Sequence, residues 1–147
     1  MRPLVAFDVV GIPVQQGSKR HVGGGRMIES GGTRHRDWRH AVATEARRVA
    51  ATIDGAPLDG PLMLSVVFRF PMPASRPKRL RDAGTIRKTT APDLDKLIRS
   101  VGDSLTDSGL IRDDARIGMV IASKVEVVDW CGAIIQLHAL DEVVTPS

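Results

Sequence analysis

Apolar positions repeat along this chain with two different periods, and the switches between them outline its elements. Residues 5–14 alternate loosely and are rich in Val, Ile and Phe, which predicts a first strand. Residues 17–32 hold six glycines and predict a flexible loop. From Arg36 the period lengthens. Trp38, Val42, Ala46 and Val49 share a helical face that leaves out Arg39, Arg47 and Arg48, so a helix is expected over about 37–52. Strict alternation returns at Leu62, Leu64, Val66, Phe68 and Phe70, a second strand with one buried face. Residues 71–92 carry four prolines and read as a long basic loop. Leu94, Leu97, Ile98, Val101 and Leu105 recur at helical spacing and predict an amphipathic helix over 93–106. Strands are expected at 117–128 and 133–140, joined as a hairpin near Asp129 and Gly132, with a short tail over 141–147. The sum is one α/β (α+β) domain over 1–147, with a mixed sheet of about four strands and two main helices.

Composition narrows the function classes. A 42% hydrophobic chain can build a core, while 3% aromatic content argues against a surface that stacks bases on rings. The single cysteine, Cys131, excludes an intrachain disulfide and a cysteine-based zinc cluster. The four histidines are scattered and read as surface or DNA-facing. No apolar run reaches the length of a membrane span, so a soluble cytoplasmic protein without a membrane partner is expected. The net charge of +4 is unevenly spread. Arg76, Lys78, Arg79, Arg81, Arg87 and Lys88 face one acid, Asp82, and a second basic region begins at Lys19 and Arg20. Residues 125–147 contain no Lys or Arg. Such polarity suits a positive face toward phosphates, and equally a pair of solvated basic loops.

The candidate chemistry lies around the second helix. Ala91 precedes a proline and should be extended, which places Asp93 at or beside the N-cap and Asp95 in the first turn. Asp95, Arg99 and Asp103 share one stripe. After the helix the chain can double back and bring Asp114, with Asp113 as runner-up, toward the first two aspartates. Three carboxylates held together suit a hard divalent cation such as Mg²⁺, with Mn²⁺ as a substitute, and that set suits phosphodiester hydrolysis with Arg99 offsetting charge at phosphorus. The plainer account stays open: an Asp-x-Asp cap, an Asp-Asp turn, and an Arg99 ion-pair ladder on the surface.

The stretch from Thr90 through Asp93-Leu94-Asp95 to Arg99, then Val101-Gly102-Asp103-Ser104-Leu105-Thr106, then Asp113-Asp114-Ala115-Arg116-Ile117, resembles the core of the RusA family of Holliday junction resolvases. The opening run from Gly11-Ile12-Pro13-Val14-Gln15 to Arg20 resembles that family's early Pro-x-x-Gln loop, and Pro61–Arg69 and Lys124 also fall where the family has counterparts. The resemblance spans about residues 5–140. It implies a RusA-like fold and a Mg²⁺-dependent endonuclease, phage or prophage encoded, acting as a homodimer on branched DNA. By position it assigns Asp93, Asp95 and Asp114 as the essential carboxylates. Arg99 stands where the family usually has lysine, and Arg116 where glutamine is common. An arginine keeps the charge but stays protonated, which weighs against a proton-donor role. A flap or general branch nuclease, and a catalytically silent DNA-binding protein, are the competing readings.

Overall fold

The structure is a computed structural model, and it describes residues 2–15, 19–22, 26–29 and 32–146. For 19–22 and 26–29 only the backbone is considered. In chain order the elements are β1 (Val5–Val10), β2 (Lys19–Val22), β3 (Arg26–Glu29), α1 (Gly32–Ala50), β4 (Leu62–Pro71), α2 (Lys78–Ala83), β5 (Thr85–Arg87), α3 (Leu94–Asp107), a 3₁₀ turn (Asp114–Arg116), β6 (Ile117–Val127) and β7 (Gly132–Ala139). A five-stranded sheet runs in the order β1-β7-β4-β6-β5, and β2 pairs with β3 separately.

The alternation read from the sequence is the alternation of burial. Leu62, Leu64, Val66, Phe68 and Phe70 of β4 face the core, as do Val5, Phe7 and Val9 of β1 and Ala133, Ile135 and Leu137 of β7. Against that face pack Trp38, Val42, Ala46 and Val49 of α1 and Leu97, Val101 and Leu105 of α3. Burying each Val, Leu, Ile or Phe among them contributes roughly 1.5–3 kcal/mol. The domain is therefore a single layer of helices on one face of a mixed sheet, α+β in class.

Five expectations change. The expected 129–132 hairpin does not form: β7 enters between β1 and β4, antiparallel to both, and β6 lies on the far side of β4. The sheet is mixed instead because β4 and β6 run parallel, joined by a crossover that includes α3. Arg69 secures the β6–β7 link by donating to the Trp130 carbonyl at 3.1 Å and stacking on the Trp130 ring. Gly132 allows β1 to pass close by, since a Cβ there would lie 1.8 Å from the Val9 carbonyl oxygen.

The expected loop over 71–92 carries α2 and β5. No residue of α2 is buried, so hydrophobic periodicity could not reveal it; Pro77 opens it and Gly84, at φ 83°, closes it. The expected loop over 17–32 includes the β2–β3 pair, two segments free of glycine; residues 16–18, 23–25, 30 and 31 lie outside the description. Finally, α1 begins at Gly32 because its buried face starts one turn early, at His35, which is 2% exposed and bonded to Ser100 Oγ at 3.2 Å. His35 and His138 are thus buried, against the surface reading, and Cys131 is half-buried.

Candidate active site

Two turns, one before and one after α3, present the acidic residues. Asp93 occupies the N-cap of α3 in an extended conformation (φ −71°, ψ 135°), yet its carboxylate makes no capping hydrogen bond. It points outward, with Lys96 Nζ 3.8 Å away. Asp95 is exposed in the first turn, where the positive end of the helix favours a carboxylate. The capping explanation therefore fails for Asp93, although it stands at the expected N-cap position.

At the second turn the two aspartates divide the work. Asp113 caps the 3₁₀ turn, its Oδ1 accepting the Ala115 N–H at 3.0 Å. That backbone bond holds its carboxyl below the usual aspartate range. Asp114 does not cap the turn. Its hydrogen-bonded neighbour Asp113 raises its pKa, with burial, the Asp113 charge and the Asp103 charge adding to the rise. Asp114 rests against Gly102 of α3, where a Cβ would meet the Asp114 Cβ at 3.5 Å and Oδ2 at 3.9 Å. The absence of a side chain at 102 lets the two lie this close. Gly102 and Asp103 stand in the stripe and motif read from the sequence, but that Gly102 touches Asp114 and that the Asp103 charge acts on it are tertiary facts.

Asp95 and Gly102 are seven residues apart, two turns of α3, so they share a face and stand about 10 Å apart along its axis. Asp114 thus adjoins the same side of the helix as Asp95, further along it, with Arg99 between them in height. Arg99 is exposed, and among the described residues it makes no ion pair with Asp95 or Asp103, so the expected alternative of an ion-pair ladder is absent. The donor set is right for a hard cation: exposed carboxylate oxygens crowded by their own charge. Among the described residues, however, no three His, Cys, Asp or Glu side chains converge to hold an ion, so Asp93, Asp95 and Asp114 do not form one closed cage in a single chain.

The basic residues separate into two groups. Arg76 is bound bidentate to Glu126, at 2.8 Å to each oxygen, and Lys88 lies 3.9 Å from the same carboxylate and over the Phe70 ring. Lys78 pairs with Asp82 at 2.6 Å. Arg79, Arg81 and Arg87 are exposed. Lys124 turns inward to the backbone, donating to the carbonyls of Thr90 and Pro92. The Lys19 and Arg20 side chains fall outside the described residues. A cleft of about 1050 Å³ opens beside this turn, lined in part by Val10, Gln15, Trp38, Phe70, Lys88 and Pro92.

The helix start, the second turn and the flanking motifs lie within a match to the family model described as endodeoxyribonuclease RusA, which spans residues 9–137. The chain belongs to the RusA family of endodeoxyribonucleases. It is accordingly an endodeoxyribonuclease of the Holliday junction resolvase kind. No curated protein matches the chain. Arg99 is exposed on α3, and Arg116 Nε donates to Asp59 Oδ1 at 2.6 Å. Arg116 is thereby committed to a structural pair on the surface. No described helix is long and apolar enough to cross a membrane.

Proposed function

We propose that this chain cuts four-way and related branched DNA by paired, symmetric nicks in a reaction that depends on Mg²⁺, with Mn²⁺ as a substitute, and that it acts as a homodimer. Asp93, Asp95 and Asp114 would hold the cation. Mg²⁺ commonly takes only one or two protein carboxylates and fills its shell with water and substrate phosphate, so a closed cage within one chain is not required. When bound, the ion supplies charge neutralisation at phosphorus and a more acidic water. The chain's own residues do the rest. Asp93 and Asp95 present oxygens at the helix start, and Asp114 does so from the second turn. Arg99 places a permanent positive charge between them, suited to offset charge that builds on the phosphate. Arg79, Arg81 and Arg87 supply a basic surface for the backbone. Two nicks in opposing strands call for two identical sites related by a two-fold axis, which a homodimer provides.

The observation that carries this reading, beside family membership, is the division of labour among the aspartates. Only Asp113 caps its turn; Asp93 stands at a cap without capping, and Asp114 is crowded by like charge. The test is cleavage of labelled four-way, flap and linear duplex DNA with Mg²⁺ or with EDTA. The parent is expected to cut the four-way junction with Mg²⁺ alone. Asp93→Asn should lose on the order of a hundredfold or more in rate while binding the junction as well as the parent or better. Preferential cutting of flaps would shift the reading to a general branch nuclease. Absence of any Mg²⁺-dependent product would sink it.

A further inference from the structure

The Asp93 carboxylate makes no capping bond, and its one local partner is a long ion pair to Lys96 Nζ at 3.8 Å. The backbone that carries it is nonetheless held by Gln15 and Lys124, and Lys88 holds the Thr90 side chain beside it. Gln15 Oε1 accepts the Asp93 N–H at 3.0 Å, across 78 positions of sequence. Lys124 Nζ donates to the Thr90 carbonyl at 2.7 Å and to the Pro92 carbonyl at 2.8 Å. Lys88 Nζ donates to Thr90 Oγ1 at 3.0 Å. The Pro92 carbonyl and the Asp93 N–H are the two poles of one peptide unit. Lys124 grips one pole and Gln15 the other, so the plane of that peptide is fixed, and with it the direction in which Asp93 leaves the chain.

We propose that Gln15 and Lys124 are positioning residues that aim the Asp93 carboxylate. The inference rests on the metal-dependent nuclease reading above. Their chemistry fits the task. A lysine ammonium is a single centre with three donors on a flexible stem, so it can bridge two carbonyls at once. The Gln15 amide oxygen is a neutral acceptor; a carboxylate in its place would add negative charge to an already acidic site. Lys124 is rooted on β6 opposite Phe68 of β4, and its carbonyl accepts the Lys88 N–H at 3.2 Å, so its base is as firmly placed as the sheet itself. This assigns Lys124 a role other than phosphate contact. Partners that orient a metal ligand typically control metal affinity or activity by about 10–100-fold without touching the metal themselves.

Gln15→Met and Lys124→Met remove the two grips separately while keeping side-chain length. Three readouts are compared with the parent: four-way junction cleavage across a Mg²⁺ titration, junction binding without Mg²⁺ across a salt series, and amide hydrogen exchange at Asp93 in metal-free protein. In both variants the expected result is a cleavage rate lower by about tenfold or more, a higher half-saturating Mg²⁺ concentration and faster exchange at Asp93. Junction affinity and its salt slope should stay within about twofold of the parent's. A Lys124→Met variant that loses junction affinity, with a salt slope smaller by about one, overturns the inference in favour of a phosphate contact. Variants that cut with the parent's rate and Mg²⁺ dependence overturn it outright. A parent that does not cut with Mg²⁺ overturns the nuclease reading first, and the inference with it. Should Lys124→Met lower the melting temperature, Gln15→Met gives the same decision from the other pole of the peptide.

Discussion

Strand β6 separates two carboxylates that the fold treats in opposite ways. Near its end, Glu126 is 1% exposed and fully matched: Arg76 holds both oxygens and Lys88 adds a second positive charge. The Arg76 hydrogen bonds keep its pKa below the ordinary 4.5 despite burial. Just ahead of its start, Asp114 is exposed, and its nearest charges are Asp113 and Asp103, which push its pKa above the ordinary 3.8. A buried carboxylate that already has its cations is a structural element. An exposed carboxylate crowded by like charge costs the fold something and is a natural place for an external cation. Two of the six clustered basic residues, Arg76 and Lys88, are drawn toward Glu126, and this explains why a charge count overstates the surface available to DNA.

The comparison can be broken from either side. The largest effect is expected at the unmatched end. Asp114→Asn should reduce Mg²⁺-dependent junction cleavage by on the order of a hundredfold or more, with the melting temperature unchanged or slightly higher because repulsion is relieved. Asp113→Asn should retain far more activity, since Asp113 serves the turn. Comparable losses in both variants, measured beside thermal melts, would erase the division of labour between them.

At the matched end the expected effect is on stability. Glu126→Gln should lower the melting temperature by about 5 °C near pH 7, where it leaves Arg76 without its charged partner. Because the folded pKa of Glu126 is depressed, its contribution is fully present above 4.5 and is lost as pH falls through the lower folded value. The gap between parent and Glu126→Gln should therefore close in acid. A gap that is independent of pH would mean that packing, not charge, carries the site.

The smallest and most direct measurement is a carboxyl titration by nuclear magnetic resonance in metal-free protein. Asp114 should titrate above 3.8 and Asp113 below it. Asp113→Asn should bring Asp114 down, because the hydrogen-bonded neighbour is the largest cause of its rise. An Asp114 midpoint that does not move would transfer the effect to burial and Asp103.

Much of this architecture is legible in the chain. β4, β7 and α3 lie close to where apolar periodicity puts them, because each has one face committed to the core and periodicity reports that commitment, whereas β6 lies where its apolar run puts it although Met119, Val120 and Ile121 are exposed. Elements without a core face escaped: α2 buries nothing, and β5 is three residues held by pairing with β6. The β6–β7 link read as a hairpin because the sequence shows a turn but not which strand lies across it. At the site, the position of Asp93 at the head of α3 followed from Pro92 and the helical period. Its failure to cap did not, because a cap position is local while the contacts of Gln15 and Lys124 that hold the peptide before it are not.

By itself, then, the sequence determined the periods, the turn chemistry, the acidic pairs flanking one helix and the family motif they compose. These are local properties, set by backbone preference and by which residues must leave water. Tertiary structure alone decided which charges are satisfied. Arg76 and Glu126 are fifty positions apart and Gln15 and Asp93 seventy-eight, and no local rule can say that one carboxylate will be buried against its cations while another is left exposed beside its own kind. That outcome depends on which strand lies beside which, and the order β1-β7-β4-β6-β5 exists only once the whole sheet has formed.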